Sequence, residues 1–132
     1  MSLGVFDIGG TTVKHGIWEH QQLSPVNAFP TPVTFDELLR NMAEIIRDAK
    51  RPLTGIAISA PGAVDQEKRK ILGISAVPYI HQRPIFDELE QHLGLPVTIE
   101  NDANCAGIAE VELGVGREAQ NIVFVVLGTG VG

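Results

Sequence analysis

The chain has 132 residues, of which 44% are hydrophobic and 20% charged, and its formal net charge is −6. This composition is ordinary for one globular domain with one core, and the acidic balance argues against a nucleic-acid-binding surface. The single cysteine, Cys105, excludes an internal disulfide, and the longest apolar run, Ile122–Leu127, is too short to cross a bilayer. We therefore expect a cytoplasmic protein that does not bind membranes.

The first third of the sequence predicts three antiparallel strands. Two apolar runs flank a Gly9-Gly10 turn, which is typical of a hairpin, and a third run precedes a proline pair. The predicted strands are Leu3–Ile8, Thr12–Trp18 and Gln22–Phe29.

The rest of the sequence alternates helices and strands. Thr34 and Glu37 have capping-box spacing, and a helical apolar stripe runs from there to Ala49. Later elements are predicted at Gly55–Ser59 (strand), Lys70–Ile74 (minor strand), Pro84 to Gly94 (helix), Val97–Glu100 (strand), Asn101–Leu113 (helix) and Asn121–Leu127 (strand). This order indicates an α/β domain whose mixed sheet is antiparallel at the start and parallel afterwards.

Two glycine–threonine turns, each after a strand, are candidates for phosphate binding. The first comprises Asp7, Gly9, Gly10, Thr11, Thr12 and Lys14, and the second Gly128, Thr129 and Gly130. Glycines let backbone N–H groups approach phosphate oxygens, threonines add donors, and an aspartate can hold a metal through water. A plain turn explains either motif alone but explains the pair less well.

Two further segments lie at the ends of predicted strands. The first is Glu100–Asn104, at the end of the predicted strand Val97–Glu100. Here Asp102 could accept a proton from a substrate hydroxyl that Asn101 positions. Helix capping is the commoner role for such residues, and both roles hold if Asn101 caps and Asp102 points outward. The loop containing Gly62 follows a buried strand, where α/β sheets bind ligands, although an ordinary Pro-Gly turn also explains it.

The ordered set of motifs resembles the ROK family (repressors, open reading frames and kinases) of the actin/hexokinase/Hsp70-like superfamily. The matching segments are Asp7–Thr11 with Lys14, Ser59–Gly62 with Val64-Asp65, Pro96-Val97, Glu100–Asn104, Ala109-Glu110, Gly114 and Leu127–Gly132. The resemblance implies that residues 1–132 form the N-terminal lobe of a ribonuclease H-like, actin-like ATPase domain, with the C-terminal lobe absent from this chain. It further implies a kinase that transfers the γ-phosphoryl group of MgATP to a sugar hydroxyl, homodimeric at full length.

The resemblance also implies residue roles. The two glycine turns would bind the ATP phosphates, Asp7 would lie near Mg²⁺, Asp102 would be the catalytic base, and Asn101 with the Gly62 loop would contact the sugar. A structural zinc is expected only in the absent lobe. The stretch Gly73–Tyr79 departs from the Asn-x-Pro-Gly-Trp-like pattern of many family sugar kinases, since no asparagine precedes Pro78. This departure bears on glucose specificity and not on kinase chemistry.

Three alternatives accompany this interpretation. A sugar-responsive transcriptional regulator usually carries a helix-turn-helix segment first, for which there is no room before Asp7. A protein-coupled ATPase of the same superfamily does not explain the Glu100–Asn104 and Ser59–Gly62 segments. Finally, the 132-residue lobe alone is expected to be inactive, because half a cleft cannot enclose ATP and a sugar.

Overall fold

The computed structural model describes residues 2–103. The predicted strand Asn121–Leu127, the second glycine turn and nearly all of the predicted helix Asn101–Leu113 lie outside these residues. The described elements are, in order, β1 (Ser2–Ile8), β2 (Thr12–Glu19), β3 (Gln22–Leu23), β4 (Asn27–Pro30), α1 (Phe35–Asp48), β5 (Gly55–Ala60), β6 (Ala63–Asp65), β7 (Lys70–Leu72), a 3₁₀ turn (Pro78–Ile80), α2 (Ile85–Leu93) and β8 (Val97–Asn101).

The main sheet has the strand order β3-β2-β1-β5-β8, and β4 also pairs with β2. β2 is antiparallel to β1, β3 and β4, whereas β1–β5 and β5–β8 are parallel pairs. The predicted mixed sheet, antiparallel at the start and parallel afterwards, is confirmed.

The predicted strand Gln22–Phe29 is wrong in one respect, because it forms two short strands. Ser24 interrupts it: the backbone N–H of Ser24 donates to Ile17 O at 2.9 Å, and its Oγ accepts from Ile17 N at 2.8 Å. Pro25 follows and has no N–H to continue the ladder. The chain therefore leaves β2 at Ser24 and returns to it at Asn27.

Each helix buries one apolar side in the core, and the two helices contact each other. Thr34 caps α1 as predicted, its hydroxyl accepting from Glu37 N at 3.2 Å. The core combines α1 and α2 residues with inward-facing strand residues, among them Phe35, Leu38, Met42, Phe86, Leu89, Phe6, Ile8, Ile58 and Ile99. Each such side chain contributes about 1.5–3 kcal/mol on burial. None of the helices in residues 2–103 is sufficiently long and apolar to span a lipid bilayer.

A small hairpin of β6 and β7 projects beyond the carboxyl end of β5. The predicted strand Lys70–Ile74 ends earlier, at Leu72, because Gly73 adopts a φ of +88° and turns the chain away. Ile74 is left 94% exposed. The chain then returns through the 3₁₀ turn, and His81 makes a parallel bridge to Ile71.

Candidate active site

A cleft of about 320 Å³ lies at the carboxyl ends of β1, β5 and β8. It is lined by Ile8, Gly9, Gly10, Pro61, Ser75, Ala76 and Asp102. The first glycine turn, the loop after β5 and the acidic residue after β8 thus meet in one place, although Gly9 and Asp102 are 93 positions apart in sequence. This is the edge at which open α/β sheets bind ligands.

The Gly9-Gly10 turn is held by its own hairpin and by Thr31. Gly9 N donates to Thr12 O at 3.0 Å, Thr31 N donates to Thr11 O at 2.9 Å, and the Thr31 hydroxyl donates to Gly9 O at 2.6 Å. Sequence reasoning missed Thr31, because its partners lie some 20 residues away and nothing local marks it. These bonds fix the turn before any ligand arrives.

Asn101 ties the end of β8 to the loop after β5. Its Nδ2 donates to Gly62 O at 2.6 Å, and its Oδ1 accepts from Ala103 N at 2.9 Å, as an N-cap side chain does. Asp102 Oδ1 also accepts from Ala103 N at 2.9 Å, and the side chain is exposed at the cleft. The structure thus combines a capping contact by Asn101 with an accessible carboxylate on Asp102.

Gly62 supports the loop from within. Its φ is +106°, and a Cβ atom there would lie 2.7 Å from His81 Cε1 and 2.7 Å from Ile71 Cγ2. Only glycine combines this backbone conformation with so close an approach. Pro61, and not Gly62, is among the residues that line the cleft.

Asp7 and Lys14 are not among the residues that line the cleft. They are directly opposite each other in the β1–β2 pair, and Asp7 is also opposite Ser59 of β5. Because side chains alternate along a strand, Asp7 faces away from the buried Phe6 and Ile8. Asp7 and Lys14 help to line a separate depression of about 190 Å³. Thr11 and Thr12 are exposed beside the glycine turn.

The exposed Asp7 carboxylate makes no hydrogen bond or salt bridge to any residue in 2–103. Such a carboxylate fits a contact to Mg²⁺ through water, because hydrated Mg²⁺ binds proteins through few carboxylates. No group of three or more His, Cys, Asp or Glu side chains in the described range could hold a metal directly.

The stretch before α2 is fixed to α1. The Tyr79 hydroxyl donates to Pro32 O at 2.8 Å, its ring packs on Phe35, and burial raises the pKa of Tyr79. The Arg83 guanidinium lies 3.9 Å from the centre of the Phe35 ring and makes a bidentate contact with Glu88 at 2.9 and 2.8 Å. Tyr79 therefore packs against the start of α1 and does not line the cleft. Ser75 and Ala76 are the residues of this stretch that line the cleft.

Comparisons with known proteins give a consistent result. The model of the ROK family matches residues 3–132. The chain is 36% identical over 134 residues to a beta-glucoside kinase of Listeria monocytogenes, covering 100% of this chain and 45% of that protein. It is 38% identical, with a TM-score of 0.85, to the crystal structure of a ROK family protein from Streptococcus pneumoniae in complex with sucrose, covering 100% of this chain and 44% of that one.

A ROK family glucokinase from Streptomyces griseus, solved in complex with glucose and AMPPNP, is 28% identical with a TM-score of 0.87, covering 100% of this chain and 43% of that one. The chain spans less than half the length of these relatives. The structural similarity confirms the predicted fold class, an α/β lobe of the actin-like ATPase type. Since the family model matches nearly every residue, this chain belongs to the ROK family.

Proposed function

We propose that this chain is the N-terminal lobe of a sugar kinase that transfers the γ-phosphoryl group of MgATP to a hydroxyl of a hexose-type sugar. The observation that carries the proposal is the meeting of Gly9, Gly10 and Asp102 in one cleft. The names of the beta-glucoside kinase and of the glucokinase complexed with glucose and AMPPNP support the same chemistry.

Asp102 is the proposed catalytic base. Its carboxylate is exposed and lines the cleft, which supports a role in accepting the proton of a sugar hydroxyl as that oxygen attacks phosphorus. Asn101 holds the adjoining loop through Gly62 O, and we propose that Asn101 and the Gly62 loop contact the sugar. Most of the catalysis would then come from positioning two substrates in line.

The phosphate chain is proposed to lie against the Gly9-Gly10 turn, whose backbone is fixed by Thr31. The exposed Thr11 and Thr12 beside the turn are available as further donors, and Lys14, which lines the separate depression with Asp7, is proposed as a further phosphate contact. Gly128, Thr129 and Gly130 are proposed to bind the phosphates as a second turn. Asp7 would hold Mg²⁺ through water, and the ion would neutralise charge on the phosphate oxygens.

For the whole protein we propose a cytoplasmic homodimer that binds neither nucleic acid nor membranes. The net charge of −6 supports the absence of a nucleic-acid partner. The dimer, and a structural zinc site in a C-terminal lobe, rest on the family resemblance.

The test is ADP release by the complete gene product with MgATP and a panel of hexoses, N-acetylhexosamines and β-glucosides. One sugar should stimulate ADP release, and Asp102→Asn should lower kcat about 10²- to 10⁴-fold while sugar binding is kept. Asp48→Asn is the control, because that carboxylate is exposed at the end of α1 and contacts Arg47.

Two outcomes would contradict the proposal. Near-normal kcat in Asp102→Asn would remove Asp102 from its role as base. ATP binding without any sugar-dependent ADP release would favour a regulator or a protein-coupled ATPase instead.

A further inference from the structure

The Ser75 hydroxyl is held on one side by two groups and faces the cleft on the other. Ser75 Oγ accepts from Val77 N at 3.1 Å and lies 2.7 Å from His81 Nε2. Ser75 also lines the cleft that contains Asp102. A hydroxyl has one donor and two acceptor positions, so the direction of its proton depends on the His81 tautomer.

His81 is only 9% exposed, and its Nδ1 has no hydrogen-bond partner within the described residues. If the ring proton were on Nδ1, a buried N–H group would be left without an acceptor. Buried orphan donors are rarer than acceptors with a free lone pair. The proton therefore belongs on Nε2, from which it is donated to Ser75 Oγ.

With Val77 N and His81 Nε2 both donating to it, Ser75 Oγ has no acceptor capacity left. Its own proton has no acceptor among residues 2–103. The hydroxyl is thus an unused donor at the cleft wall, fixed in direction by a buried imidazole. The same imidazole packs under Gly62, whose carbonyl receives the Asn101 amide, so His81 supports both sides of the site.

The charge of the cleft indicates which ligand would receive this proton. Asp102 is the only charged side chain among the described lining residues, and no lysine or arginine accompanies Ser75 there. A carboxylate repels phosphate, and the phosphate chain is proposed to lie against the Gly9-Gly10 backbone instead. The remainder of the cleft suits a neutral molecule rich in hydroxyl and ether oxygens. Such a molecule is a sugar.

We propose that Ser75 donates a hydrogen bond to an oxygen of the bound sugar, and that His81 is the positioning residue that orients it. This inference rests on the proposed function and adds a specificity-determining contact to it. Ser75 belongs to the stretch Gly73–Tyr79, in which this chain departs from the family pattern. The proposed contact would therefore be made by a residue of that divergent stretch.

The test measures sugar binding by calorimetry on the complete gene product, and KM for sugar and ATP from ADP release. Ser75→Ala should weaken sugar binding and raise the sugar KM about 3- to 10-fold, as expected for one neutral hydrogen bond. The KM for ATP should change less than about 2-fold. Ser24→Ala is the control, because that hydroxyl also accepts a backbone N–H but lies beside β2.

His81 is tested by two substitutions. His81→Gln keeps an N–H donor at about the same reach and should retain most sugar affinity, whereas His81→Leu should raise the sugar KM at least as much as Ser75→Ala. Adding Ser75→Ala to His81→Leu should cost little more, since the two residues act through one bond. Thermal unfolding reports whether His81→Leu remains folded, and Ser75→Ala keeps the test decisive if it does not.

Several results would overturn the inference. Unchanged sugar affinity in Ser75→Ala, or a raised ATP KM with an unchanged sugar KM, would each exclude a sugar contact. The proposed function fails separately, if the protein binds a sugar but releases no ADP in its presence. Because sugar binding is measured directly, Ser75 is still tested in that case.

Discussion

Gly10 and Ala76 lie so close together across the cleft that there is no space for a side chain on Gly10. A Cβ atom added to Gly10 would lie 2.8 Å from the Ala76 Cβ atom. The glycine turn after β1 is therefore packed against the stretch that precedes α2. Neither atom belongs to a flexible side chain that could move aside.

Gly10→Ala should displace the turn or the 75–76 stretch. We expect a loss of about 1–3 kcal/mol in the free energy of unfolding, as for other overpacked sites, and at least a 10-fold rise in the ATP KM. Ala76→Gly removes the clashing methyl group, so the double variant should recover most of both losses. A double variant as impaired as Gly10→Ala would show that the methyl contact is not the cause.

Thr31→Val should loosen the same turn from the other side. The substitution keeps the shape of the side chain and removes the hydroxyl that donates to Gly9 O. We expect a loss of about 0.5–1.5 kcal/mol in stability, measured by urea unfolding, together with a raised ATP KM.

Thr54→Val is the matched control for Thr31→Val. Thr54 also donates its hydroxyl to a backbone carbonyl, that of Ser2, at 3.1 Å, but at the opposite end of β1. It should cost similar stability without changing the ATP KM. Equal effects of both variants on the ATP KM would refute a specific role for Thr31.

The fold was largely predictable because its signals are local. The Thr34–Glu37 cap, the apolar stripe of α1 and the Gly9-Gly10 hairpin each depend on residues within a few positions of one another. The break at Ser24 was not predicted, because an alternating apolar pattern does not show that a serine will pair with Ile17 and leave the ladder.

The site was predictable where topology alone decides it. Gly9, Gly10 and Asp102 meet because parallel strands end at one edge of the sheet. Ser75 and His81 were not found, because their pairing depends on the β7 hairpin bringing the chain back beneath Gly62. Contacts of that kind have no signature in a single sequence.

Asn101→Asp should separate the two functions of that amide. A carboxylate can still accept from Ala103 N but cannot donate to Gly62 O, which lies 2.6 Å from the present donor. We expect a loss of about 1–3 kcal/mol in stability, because two acceptors would face each other. Asn27→Asp introduces the same charge at an exposed position of β4 and should change stability by less than about 0.5 kcal/mol. Thermal and urea unfolding of both variants measure the difference, and equal losses would contradict the donor role of Asn101.

His15 should make stability depend on pH. Its ring lies between Phe6 and Phe29, with centroid distances of 5.9 and 5.8 Å. Burial lowers the pKa of His15 from its ordinary value of 6.5, so below that pH the unfolded chain binds this proton more readily than the folded one. The contribution of His15 to stability is therefore complete above pH 6.5 and is lost as the pH falls towards the folded-state pKa.

His15→Phe keeps the aromatic packing without a titrating group, and its thermal midpoint should fall less between pH 7.5 and 5.5 than that of the unsubstituted protein. All other titrating groups are common to both proteins. An identical fall of the thermal midpoint in the two would therefore mean that protonation of His15 does not destabilise the folded protein.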